Sequence, residues 1–144
     1  MDRNEKLQAA KEVFQIEIKA LQHICAGLEE TFAVIEEAIL SCSGKVILCG
    51  MGKSGHIARK ISATLASLGT PSFFLHPAEA VHGDLGMVSE NDIVLLLSSS
   101  GETQELIQII PSLKQIESKI IAVTCRKDYT LEKESDYFQL LDIG

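Results

Sequence analysis

The sequence predicts an α/β domain, a three-layer αβα sandwich around a five-stranded parallel sheet. Short apolar runs without polar alternation occur at 45–49, 72–75, 92–98, 119–124 and 136–141, the pattern of strands covered on both faces. Segments of helical periodicity separate them, as parallel strands joined by crossovers require. Glycine- or serine-rich turns follow the first and third runs, at the strand ends where such sheets bind ligands.

Residues 1–43 read as a helix or helical pair. Leu7, Phe14, Leu21 and Leu28 recur every seven residues, with Ile18, Cys25 and Phe32 continuing the stripe at alternating three- and four-residue steps. Lys11 interrupts the stripe, and Gly27 and the Ser41–Gly44 cluster are candidate breaks. The segment either covers one face of the core or serves as a partner helix at a subunit interface. The core, 44–144, then runs as a strand over 45–49, a helix over 54–68, a strand over 72–75 and a strand over 92–98. A helix follows over 103–114, with Pro111 a kink or early stop, then strands over 119–124 and 136–141. No repeat is present. The last residue, Gly144, follows the fifth strand directly, where a sandwich of this kind normally adds a covering helix, so 1–144 reads as one domain incomplete at its C-terminus.

The 144 residues, 46% hydrophobic and 23% charged, suit one globular domain and exclude disordered and fibrous classes. A net charge of −7 argues against a nucleic-acid or membrane-surface binder. No apolar stretch approaches the ~20 residues of a membrane span, and the charged first twenty residues predict no signal peptide and a cytoplasmic location. The four cysteines, at 25, 42, 49 and 125, match no zinc or redox spacing and read as reduced thiols, mostly small core residues.

Chemistry concentrates at three places. Gly50-Met-Gly-Lys-Ser-Gly55 ends the first strand and opens a helix. It matches the dinucleotide fingerprint, but the second strand ends in Leu75-His76-Pro77, not in the expected acid. A P-loop is excluded by Ile47 where glycine is needed. An anion cradle from the amides of Gly52 to Ser54, with Lys53 beside it, and a plain strand–helix turn both remain. Ser98-Ser-Ser-Gly-Glu-Thr103 offers three serines, Gly101 and Thr103 at another helix start, suited to a phosphate or to simple N-capping. Between them, His76, Glu79, His82 and Asp84 leave acid–base work and metal ligation open.

These stretches, with Gly69-Thr-Pro-Ser72, resemble the sugar isomerase (SIS) domain, and within it the arabinose 5-phosphate isomerases. The Ser-x-Ser-Gly cup is general to SIS domains; the stretch His76-Pro-x-Glu-Ala-x-His-Gly-Asp-Leu-Gly86 is narrower. The resemblance implies a flavodoxin-like, Rossmann-like SIS fold acting as a homo-oligomer, dimer or tetramer. It implies interconversion of D-ribulose 5-phosphate and D-arabinose 5-phosphate through a cis-enediol, feeding Kdo synthesis for lipopolysaccharide or capsule. Lys53, His82 and Glu105 match catalytic positions. Gly69, Thr70, His76 and His82 match substrate contacts, and His76 a position where zinc can inhibit; no cofactor is required. Ser98, Ser100, Gly101 and Thr103, with Gly52 and Ser54, are expected to hold the phosphate. The family continues past Gly144 with further catalytic groups and, in many members, a tandem CBS pair, so residues 1–144 alone are expected to be nearly inactive. A non-catalytic sugar-phosphate regulator is the alternative, weakened by the lack of a basic recognition helix. A nicotinamide oxidoreductase rests on the glycine pattern alone.

Overall fold

The segment 1–43 forms two helices, α1 (Arg3–Ala26) and α2 (Glu30–Leu40), in a computed structural model that describes residues 1–28 and 30–144. Asp2 starts α1 with a capping box: its carboxylate accepts from the Asn4 and Glu5 amides at 2.7 and 2.8 Å, and Glu5 accepts in return from the Asp2 amide. Gly27 ends the helix, its N–H donating to the His23 carbonyl at 3.1 Å. Of the two helices, α2 takes the covering role. Ile35 of α2 packs on the sheet against Ile93 and Ile121. No residue of α1 is buried, and Phe14 and Leu21 of its apolar stripe are 64% and 66% exposed.

Five parallel strands follow: β1 (Val46–Gly50), β2 (Ser72–Leu75), β3 (Ile93–Ser98), β4 (Lys119–Thr124) and β5 (Tyr137–Leu140), in the order β2-β1-β3-β4-β5. From β1 the chain passes through α3 (Gly52–Ser67) to the edge strand β2. It returns past β1 through α4 (Pro77–Val81) and a 3-10 turn (Asp84–Met87) to β3. It then moves outward through α5 (Gln104–Ile116) and α6 (Thr130–Glu134) to β4 and β5. The winding therefore reverses between β1 and β3, which opens a crevice at their carboxyl ends.

Both sheet faces are covered, as the continuous apolar strands require. Ile47, Cys49, Val94, Leu96, Ile120 and Ala122 pack on one face with Leu106, Ile109 and Leu113 of α5, Ala80 of α4 and Leu131 of α6. Val46 and Leu48 pack on the other with Ala58 of α3. Pro111 neither stops nor shortens α5, which runs on to Ile116. It lies on the exposed side of the helix, so its ring displaces no core side chain. The cysteines correct the sequence reading in part: Cys49 is buried in the core and Cys42, half-buried, packs against it, but Cys125 is half-buried at the strand end and Cys25 is exposed on α1. Burial pushes the Cys49 thiol up to about 12 against a hydrogen bond with Gly50 that lowers it, so it is unreactive at neutral pH.

At the opposite, amino-terminal end of the sheet, Asp92 fixes the start of β1. Its carboxylate, with no exposed surface, accepts from the Lys45 amide at 2.7 Å and the Ser89 amide at 2.8 Å and pairs with the Lys45 ammonium at 3.2 Å. Gly44 fits beneath it because a Cβ there would lie 2.4 Å from the Asn91 carbonyl oxygen and from Asp92 Oδ1.

Candidate active site at the switch point

The two anion-ready turns lie side by side because β1 and β3 are hydrogen-bonded neighbours, with Gly50 in register with Leu97. Each opens a helix whose first turn lacks a side-chain cap. Met51 precedes α3 without capping it, so the Gly52, Lys53 and Ser54 amides keep their donors and the helix adds partial positive charge. Thr103 occupies the cap position of α5 but does not cap it either. Its hydroxyl lies instead 2.7 Å from the Ser98 hydroxyl. Ser98 Oγ accepts from the Gly101 amide at 3.0 Å, and Ser100 Oγ from the Glu102 amide at 3.1 Å. The loop thus closes into a hydroxyl-lined cup, and simple N-capping by Thr103 does not account for it.

Glycine is demanded here by space and by angle. A Cβ on Gly55 would lie 2.7 Å from the Gly50 carbonyl oxygen, so α3 can approach the end of β1 this closely only without one. Gly52 has φ +53° with nothing within 4 Å of its Cβ position, which leaves the mouth of the turn open.

Lys53 and Ser54 from the first turn, and Ser98 and Ser99 from the second, line one cavity of about 430 Å³ on the α3 side of the sheet. Thr124 and Cys125 complete the rim, and Leu95, Leu97, Val123 and Leu141 form an apolar floor. Lys53 has no carboxylate within ion-pair distance among the described residues, so its ammonium is available to an incoming anion. A second cavity of about 250 Å³ lies over β2 and holds Gly52, His56, Arg59 and His76. There the Arg59 guanidinium stacks 4.0 Å over the Phe74 ring, whose edge meets the His76 ring. Arg59 stands out in the sequence as one of the basic residues after the glycine turn, and His56 ends the glycine-rich stretch, but neither is assigned a role there. Their three-residue spacing on one face of α3 was the available signal.

The remaining expected residues fall elsewhere. His82 is exposed at the C-terminal end of α4, and Glu105 is half-buried in the first turn of α5. Both belong to the layer across the sheet from α3, and neither lines the Lys53 cavity. Gly69 and Thr70 follow the far end of α3. Sixteen residues at about 1.5 Å each put them roughly 24 Å from Gly52. The structure thus brings Lys53, Ser54 and Ser98 to one cavity and Gly52 and His76 to the other; Ser100, Gly101 and Thr103 form the adjoining loop but line neither, and His82, Glu105, Gly69 and Thr70 lie apart from both.

His76 precedes α4, and its Nδ1 accepts from the Ala78 amide at 3.2 Å. That bond fixes the ring as the Nε2–H tautomer. No group of three or more His, Cys, Asp or Glu that could hold a metal exists among the described residues.

Fold and crevice define a flavodoxin-type parallel α/β domain with two uncapped helix starts at its switch point. The SIS domain model matches residues 39–142, and the chain belongs to the SIS domain family. Arabinose 5-phosphate isomerase KpsF of Escherichia coli CFT073 is 53% identical over 118 residues, 81% of this chain and 36% of that protein. Arabinose 5-phosphate isomerase KdsD of Yersinia pestis is 46% identical over 136 residues, 94% of this chain and 42% of that protein. The chain thus spans about two-fifths of the curated relatives it matches. A solved structure from E. coli CFT073, in complex with arabinose 5-phosphate, superposes over all of this chain and 77% of its own, with a TM-score of 0.95 and 41% identity. The NanR protein of Vibrio vulnificus superposes over 94% of this chain and 54% of its own, with a TM-score of 0.80; at 18% identity it shows the fold alone. Among the described residues no helix is long and apolar enough to cross a membrane.

Proposed function

We propose that this chain is the isomerase domain of an arabinose 5-phosphate isomerase, interconverting D-ribulose 5-phosphate and D-arabinose 5-phosphate. The observation that carries the reading is the convergence of Lys53, Ser54 and Ser98 on one cavity at the β1/β3 switch point. The names of the relatives and the sugar phosphate of the superposed structure supply the substrate.

In this reading the phosphate enters the cup of Ser98, Ser100, Gly101 and Thr103 and meets the free amides of Gly52 to Ser54. Hydroxyls and amides donate, and both helix starts favour the dianion. The Lys53 ammonium stabilises the negative charge that develops on the sugar oxygen as the enediol forms. Aldose–ketose exchange then needs a base to take the proton from one carbon and an acid to return it to its neighbour, the work assigned to Glu105 and His82. No step is assigned to a metal.

The position of Glu105 and His82 across the sheet from Lys53 favours a site shared between copies of the chain. The same holds for Gly69 and Thr70, a helix length away. The apolar stripe of α1 supports such a homo-oligomer, dimer or tetramer, because a stripe that is mostly exposed and has no buried residue in its own chain is available to another. A cytoplasmic role at the entry to Kdo synthesis completes the reading.

Thermal unfolding of residues 1–144 with arabinose 5-phosphate tests it. Ligand at a hundred times Kd stabilises by about 2.7 kcal/mol, a rise of several degrees in Tm. A rise with NAD and none with sugar phosphates would overturn the reading.

A further inference from the structure

The phosphate cup is braced from outside by the segment that follows β4. The Cys125 amide donates to the Ser99 carbonyl at 3.2 Å, and the Leu131 amide to the Gly101 carbonyl at 3.2 Å. The Thr130 amide donates to Glu102 Oε1 at 2.5 Å. Gly101, at φ +75°, is pressed against the same segment, since a Cβ there would lie 3.1 Å from Tyr129 Cβ. Within the loop, Ser98, Ser100 and Thr103 turn their side chains to one another or to loop amides. Glu102 is the side chain that leaves the loop, and it satisfies the first amide of α6.

That bond is placed to matter. Glu102 lies between Gly101, whose amide donates to Ser98, and Thr103, whose hydroxyl meets Ser98. A shift of Glu102 therefore moves both partners of the buried Ser98 hydroxyl. Its negative charge beside an anion site is also unfavourable to a phosphate dianion; the hydrogen bond from Thr130, with a smaller contribution from Lys133, holds its carboxyl below the ordinary value and so keeps that charge in place. A carboxylate at this place is explained by its bond to Thr130, not by attraction for the ligand.

We propose that Glu102 is a positioning residue for phosphate binding, holding the Ser98–Thr103 cup in its closed shape by anchoring it to the start of α6. The inference rests on the reading of that cup as the phosphate site. It assigns Glu102 no contact with the substrate, and it separates two properties of one side chain, an acceptor that helps binding and a charge that opposes it.

The test is arabinose 5-phosphate affinity by calorimetry on residues 1–144 and its variants. Glu102→Ala, which removes acceptor and charge, is expected to weaken binding about tenfold or more. Glu102→Gln keeps an acceptor oxygen and loses the charge. It is expected to bind as well as the parent or a few-fold tighter at low salt, with the gain shrinking as ionic strength rises. Loss of folding alone cannot move the two variants in opposite directions. Thr130→Pro deletes the donor without touching the cup. Proline suits the first residue of a helix, and Tyr129 before it is already extended. This variant loses the bond but keeps the charge, so it is expected to weaken binding at least as much as Glu102→Ala, and the pair together to be no worse than Thr130→Pro alone. Faster hydrogen exchange at the Gly101 amide in Glu102→Ala, but not in Glu102→Gln, is the ligand-free readout. Parent-like affinity in Glu102→Ala, or equal weakening in Ala and Gln, overturns the positioning role. If Ser100→Ala and Thr103→Val leave the affinity unchanged, or the parent chain binds no sugar phosphate, the phosphate reading itself falls and the role with it.

Discussion

The Ser98 and Thr103 hydroxyls face each other at 2.7 Å across the loop that joins β3 to α5. Ser98 is 4% exposed, so the pair joins the buried end of a strand to the open start of a helix. Ser98→Ala leaves the Gly101 amide and the Thr103 hydroxyl without their partner. A loss of about 1–3 kcal/mol in urea unfolding is expected. Thr103→Ser keeps the hydroxyl and should cost far less.

Lys53 is the cation of the cavity. In an active isomerase that contains this domain, Lys53→Ala is expected to lower kcat/KM about 10²–10³-fold, as removal of an oxyanion donor does elsewhere. Glu105→Gln keeps shape and removes basicity, with an expected fall of about 10²–10⁴-fold in kcat. Turnover of Glu105→Gln near that of the parent would remove Glu105 from the chemistry.

Asp92 makes stability depend on acid. Burial pushes its carboxyl up, but the hydrogen bonds from Lys45 and Ser89 outweigh burial and hold it below the ordinary carboxylate value. As pH falls through that range the unfolded chain takes up the proton first. The contribution of Asp92 is thus complete above about pH 5 and fades as pH drops below about 4. Tm recorded between pH 6 and 3 should fall less steeply in Asp92→Asn, which starts about 2 kcal/mol less stable because one buried amide then faces an NH₂ group.

Gly55→Ala forces α3 away from the Gly50 carbonyl. A cost of about 1–3 kcal/mol is expected, with weaker sugar-phosphate binding because the Gly52–Ser54 amides move with the helix. Gly52→Ala meets no atom and is expected to cost only about 1–2 kcal/mol for its left-handed angle.

Phe14→Glu places a charge in the α1 stripe. Sedimentation is expected to show a smaller assembly, while urea unfolding of the separated chain stays unchanged, because Phe14 buries nothing within it. An unchanged mass would free α1 from any part in assembly.

The strands were legible because each is a run of apolar residues with both faces covered, and all five fall within a residue or two of their expected limits. The edges moved where a side chain had other work: Asp136 precedes β5 because its carboxylate accepts from the Ile120 amide at 2.8 Å. Pro111 misled because local propensity cannot say which side of a helix faces water. The short helices α4 and α6 were invisible, five residues being too few for a period to register. At the site, both turns were readable from glycine and serine spacing. The placement of His82 and Glu105 opposite Lys53 was not, since the layer a helix joins depends on the direction of winding. Nor could spacing foretell that Glu102 would reach Thr130, a partner 28 residues away.

The bond from the Ala78 amide to His76 Nδ1 has one more consequence. A soft cation approaching that ring competes with a backbone amide for the same electrons. Taking Nδ1 breaks the bond outright, and taking Nε2 drives its proton across to Nδ1, against the amide hydrogen. Either route undoes the first turn of α4. Zinc at His76 should therefore announce itself as a local loosening of residues 76–81, and poison by distortion where it poisons at all.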